Sequence, residues 1–112
     1  MVLLVCILKD YRLVEDVLLG FLEQDVTGAT VLEGRGMGQI LATELPIFAG
    51  MRGLFPGSGV DSHVIVSVMP RGKAFGCLDL VERLAGPFDQ PGSGIVFTIP
   101  VERVVGLAPE IT

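Results

Sequence analysis

Few residues in this chain carry side chains able to do covalent or metal chemistry. The thiols are Cys6 and Cys77, and His63 is the single imidazole. Neither cysteine belongs to a Cys-x-x-Cys pair, and His63 is far from both in sequence. A metal site needs several Cys, His or carboxylate ligands close together, so this spacing argues against one. Both cysteines lie inside apolar patterns and read as buried thiols that act as small hydrophobes. His63 could serve as a base, but a lone histidine beside a strand reads more simply as structural. No Ser-His-Asp, Cys-His or paired-carboxylate arrangement is evident. The expectation is a chain that is not an enzyme.

Charge narrows the field further. Thirteen acidic residues against eight basic ones give a net charge of -5. A nucleic-acid binder needs Lys and Arg to displace counterions from phosphates. This sequence has no basic run and no tryptophan, so nucleic acid is not an expected partner. Free anions are disfavoured by the overall field unless a local pocket overrides it.

The elements that must position these residues follow from periodicity. Val2 to Lys9 reads as a strand, apolar on both alternating faces. A helix over about 13–24 follows, with Val14, Val17, Leu18, Phe21 and Leu22 at helical spacing. Gly20 inside it costs on the order of 1 kcal/mol relative to Ala. Thr27 and Gly28 make a turn, and Ala29 to Glu33 reads as a second strand. That strand ends in the run Gly34-Arg35-Gly36-Met37-Gly38. From Gln39 to Asp61 no clear periodicity is seen, and Pro46, Gly50, Gly53, Pro56, Gly57 and Gly59 argue against a regular element.

His63 to Met69 is the third strand, interrupted only by Ser67. Pro70 stops it, and a helix over about 72–85 carries the stripe Ala74, Cys77, Leu78, Val81 and Leu84. Gly86 suits its C-cap. After a loop over 86–94, Ile95 to Ile99 is a fourth strand. Val101 to Leu107 reads as a short fifth, edge-like strand. The order β-α-β, long loop, β-α-β predicts one domain over 1–112. Its class is α+β: a ferredoxin-like βαββαβ sandwich with an antiparallel sheet and two helices on one face.

The chain is 50% apolar, a high share for a domain of 112 residues. A domain this size buries only roughly two-thirds of the surface of its unfolded chain. The apolar run Val2 to Leu8 falls far short of the about 20 residues needed to cross a bilayer. No direct membrane insertion is expected, no signal peptide is visible, and a cytoplasmic protein is expected. The sheet face away from the helices should be polar if it meets water. Here the strands are apolar on both faces, which implies burial against other subunits or under the long loop. That loop is itself apolar. Leu45, Ile47, Phe48, Met51, Leu54 and Phe55 would form an exposed patch unless docked, and such patches mark interaction sites.

Three stretches stand out: Ile7-Leu8-Lys9-Asp10-Tyr11-Arg12-Leu13, then Val26-Thr27-Gly28-Ala29-Thr30-Val31-Leu32-Glu33-Gly34-Arg35-Gly36-Met37-Gly38, and Gly92-Ser93-Gly94 leading to Val101-Glu102-Arg103-Val104. Together they resemble the nitrogen-regulatory P-II signalling family. The resemblance implies a divergent P-II-like signalling protein: a homotrimer with its sheets facing the centre and ligand clefts between subunits. In that family the clefts commonly bind ATP or ADP, and the long loop docks on an enzyme, transporter or channel. No cofactor is required; an adenine nucleotide (AMP, ADP or ATP) is the ligand the resemblance implies. Thr27, Gly28 and Thr30 match positions near adenine and ribose, and Gly36, Met37 and Gly38 match the loop base. Gly92 and Gly94 match the phosphate-side turn, where bare backbone N–H groups can point at an anion. Arg103 matches an arginine facing phosphate.

The family's lysine after the second loop is Ile95 here, and a second basic residue expected just after Arg103 is absent. Phosphate stabilisation would then rest on Arg103, with Lys9 and Arg35 as further cations. A mononucleotide, a nucleoside or no nucleotide is easier to accommodate than ATP. The reading is a trimeric regulator that docks its loop on a target protein, a membrane transporter being one candidate. The alternative is an interaction trimer that binds no nucleotide.

Overall fold

Seven consecutive apolar residues, Val2–Leu8, form the first strand, β1, and its neighbours account for that composition. The computed structural model describes residues 1–44, 47, 62–88 and 94–107. The elements after β1 are α1 (Arg12–Glu23), β2 (Thr30–Gly34), α2 (Met37–Glu44), β3 (Ser62–Met69), α3 (Arg71–Ala85) and β4 (Gly94–Pro100). The four strands make one sheet in the order β2-β3-β1-β4. Every neighbouring pair is antiparallel. This is the ferredoxin-like α+β arrangement, with β1 in the interior between β3 and β4.

Strand alternation sorts β1 into two faces. Val2, Leu4, Cys6 and Leu8 are buried, and they join Ile65 and Met69 of β3 under the helices. α1 adds Val17 and Phe21 to this core, and α3 adds Ala74, Cys77, Leu80 and Val81. Ser67, the one polar interruption in β3, lies on this buried side. Its hydroxyl donates to the Gly28 carbonyl, so a buried polar group ties the lead-in of β2 to β3.

α1 starts where Asp10 replaces a missing cap. The Asp10 carboxylate accepts the Arg12 backbone N–H and also the Arg12 guanidinium, each at 3.0 Å. The helix ends in a Schellman turn. Val26 N–H donates to the Phe21 carbonyl at 2.9 Å and Asp25 N–H to Leu22 at 3.0 Å, with Asp25 in the left-handed region at φ 60°. Asp is one of the few non-glycine residues that tolerates this conformation. Gly20 has a packing reason. A Cβ there would overlap the Leu80 side chain, so glycine lets α1 and α3 come close. Leu80, outside the expected stripe, is buried, while Leu84, within it, is exposed.

Two expectations are corrected. The stretch after Gly38 was expected to lack a regular element, yet α2 covers Met37–Glu44. The prolines and most of the glycines that argued against one lie at Pro46 or beyond, so nothing between Gly38 and Pro46 breaks a helix. The expected fifth strand over 101–107 is not formed. Val101 N–H still donates to the Met1 carbonyl at 3.0 Å, but β1 ends there. Beyond that bond no strand among the described residues pairs with the segment.

The Gly20 contact is testable by urea denaturation. Gly20→Leu should lower stability by about 1–3 kcal/mol through overpacking. Gly72→Ala, in α3 with open space around it, should raise stability by about 0.5–1 kcal/mol.

Candidate functional site

The sheet face away from the helices consists of three cross-strand rows. Leu32, Val64, Ile7 and Ile95 form the first, and Thr30, Val66, Val5 and Phe97 the second. Val68, Leu3 and Ile99 form the third. None of these side chains is charged. Leu32 is 51% exposed and Ile95 52%, so the face is open along both edges.

Lys9 stands at one end of this sheet. Its ammonium donates to the Ser62 hydroxyl at 2.8 Å, and Ser62 is itself buried. A Cβ on Gly36 would lie 3.3 Å from the Lys9 nitrogen, so the glycine turn leading into α2 passes close to the charge. Among the described residues no carboxylate pairs with Lys9. A half-buried ammonium satisfied only by a neutral hydroxyl keeps two N–H donors for an anion. Met37 and Gly38 open α2 just beyond this turn, with Met37 exposed. Gly94 opens β4 at the same end, paired with Leu8. Its φ is +128°, and a Cβ there would strike the Ile7 carbonyl, so only glycine fits. Nearby, the Tyr11 and His63 rings sit 6.2 Å apart. Arg12 holds the Asp10 carboxyl below its ordinary range through their hydrogen bonds.

Of the other nucleotide-matching residues, Thr27, Gly28 and Arg103 lie toward the opposite end and Thr30 lies in the middle row. Thr27 and Gly28 border a cavity of about 70 Å³ with Val68, Lys73 and Leu107. Thr30 begins β2 beside Val66. Arg103 is exposed on the segment that runs from Met1 towards Leu107. The length of β1 separates the two ends by about 20 Å. One chain thus spreads the expected ligand residues along the sheet: Gly36, Met37, Gly38 and Gly94 at one end, Thr30 in the middle row, and Thr27, Gly28 and Arg103 toward the other end. Gly92 lies outside the described residues, as do Leu45, Phe48, Met51, Leu54 and Phe55 of the expected docking loop. Ile47 is described and is strongly exposed.

Sequence reasoning named Lys9 only as a spare cation. It missed Ser62 as the partner, for which the one signal was a polar residue opening an otherwise apolar strand. Among the described residues no group of three or more His, Cys, Asp or Glu is placed to hold a metal. No helix among them is long and apolar enough to cross a membrane.

Burial pushes the Cys6 thiol up to about 12 and the Cys77 thiol up to about 11, from an ordinary value of 9.0. Both should therefore resist a disulfide reagent at pH 8 in the folded protein and react fully in urea. Because the folded state holds these protons more tightly, stability should be complete below pH 9 and fall as pH rises toward 11. Urea midpoints across that range, compared with a Cys6→Ala, Cys77→Ala variant, measure the loss. No protein-family model matches the chain, and no curated protein matches it.

Proposed function

We propose that the chain is a P-II-like regulatory protein that works as a homotrimer. The uncharged open sheet face carries this reading. Apolar surface removed from water stabilises by roughly 25 cal/mol per Å². Three copies that turn this face toward a common axis would each cover the others. Assembly would also solve a problem of reach. Residues about 20 Å apart on one chain become neighbours when one end of a sheet meets the opposite end of the next copy.

The ligand for such a cleft is an anion on the Lys9 side, and AMP, ADP and ATP are the candidates. Ile95 in place of a lysine favours the ligands with fewer phosphates. The segment 39–61 then docks on a target protein, such as a membrane transporter, and the chain acts by binding rather than by catalysis. Ile95 is also the observation that favours the second reading, an interaction trimer without nucleotide.

Sedimentation equilibrium should give three times the chain mass of 11.9 kDa, and a monomer would overturn the proposal. Phe97→Asp, which places a charge in the middle row, should reduce the mass to that of one chain. Thermal shift with AMP, ADP, ATP, adenosine and 2-oxoglutarate tests the ligand. At a hundredfold excess over Kd a bound ligand adds about 2.7 kcal/mol, a rise of several degrees. Lys9→Met should remove the rise. No shift with any of the five selects the trimer without nucleotide.

A further inference from the structure

α1 leaves part of its apolar stripe uncovered. Leu22, expected in the core, is 51% exposed, and Leu19 beside it is 61% exposed. With Leu18, Val26 and Ala29 they line an open groove of about 540 Å³. Ala29 leads directly into β2, the edge strand of the sheet. Val31 of β2 pairs with Ile65 and so lies on the helix side, yet it is 42% exposed. α1 and α3 meet through Gly20, and neither reaches out over this edge.

The two elements beside the groove, α1 and β2, carry exposed carboxylates. Glu15 and Glu23 stand one turn to either side of Leu19, and Glu33 follows Val31 on the same side of β2. All three are exposed, and among the described residues none is in an ion pair. An edge strand also presents unpaired N–H and C=O groups, which recruit another strand.

We propose that the groove between α1 and the segment leading into the edge strand β2 takes up an extended segment of a partner protein. In that segment large apolar side chains alternate, and Lys or Arg residues flank them. Backbone pairing to β2 supplies the register, as in other strand-addition complexes. Alternation places every second side chain against Leu18 and Leu22. The carboxylates of α1 and β2 select basic flanks and repel acidic ones. The chain's own residues 108–112 contain Glu110 and no base, so charge favours a partner over this tail. The groove lies on the helix side of the sheet, away from the open face, so the inference does not depend on the trimer.

The test is selection from a random 12-residue peptide library displayed on phage, against the intact protein in its solution assembly. Enriched peptides should alternate large apolar residues and carry at least two Lys or Arg. As synthetic peptides they should bind Leu22→Asp and the double variant Glu15→Lys, Glu23→Lys at least tenfold more weakly. Proline at a central position of the peptide should abolish binding by removing an N–H needed for pairing. Leu19→Ser, a milder change at an exposed site, serves if Leu22→Asp fails to fold. The proposal is overturned by four results. These are no enrichment, enrichment of acidic peptides, equal binding to the variants, or a change of assembly mass in Leu22→Asp. The last would show that a second copy of the chain occupies the groove.

Discussion

A strand that is apolar on both faces has to be covered twice, and β1 imposes that requirement on everything around it. Its even-numbered residues, Val2 to Leu8, are buried under α1 and α3. Its odd-numbered residues, Leu3, Val5 and Ile7, sit in the middle of the three uncharged rows. An antiparallel sheet that ends in water on one side normally alternates apolar and polar residues. Here the alternation is absent from β1 and weak in β3 and β4. The first covering is built into the fold, and the second is what the proposed assembly would supply.

In the first covering the two helices approach each other closely. Gly20 removes the side chain that would hold them apart, and Leu80 occupies the space. α3 packs over β1 and β4, and the β2 edge is left partly bare. On the β2 side Leu19, Leu22 and Val31 are exposed. Phe75 of α3 is exposed as well. The helix contact shapes the core, and apolar surface remains outside it.

Much of the fold was legible in the residues. The strand and helix order follows from period-2 and period-3.6 patterns, and the breakers at Pro70 and Gly86 mark real ends. α2 was missed because the glycines and prolines from Pro46 onward dominated the reading of the whole stretch 39–61. The fifth strand was overread because Val101 to Leu107 has strand composition, and composition does not show whether a neighbouring backbone is within reach. The candidate site was only half legible. Glycine positions and Arg103 could be picked out by type and resemblance. Their spread along the sheet could not, since it depends on which strands pair and in what register.

By itself the sequence determined the four strands of the sheet and the helices α1 and α3, the apolar character of both strand faces and the lack of spacing suited to metal or nucleophilic chemistry. These are local properties, set by residue type and period. The tertiary structure alone decided that Lys9 meets Ser62, that Leu22 falls outside the core while Leu80 falls inside it, and that β2 is an edge. Each depends on a contact between residues distant along the chain, and only the folded backbone sets that distance.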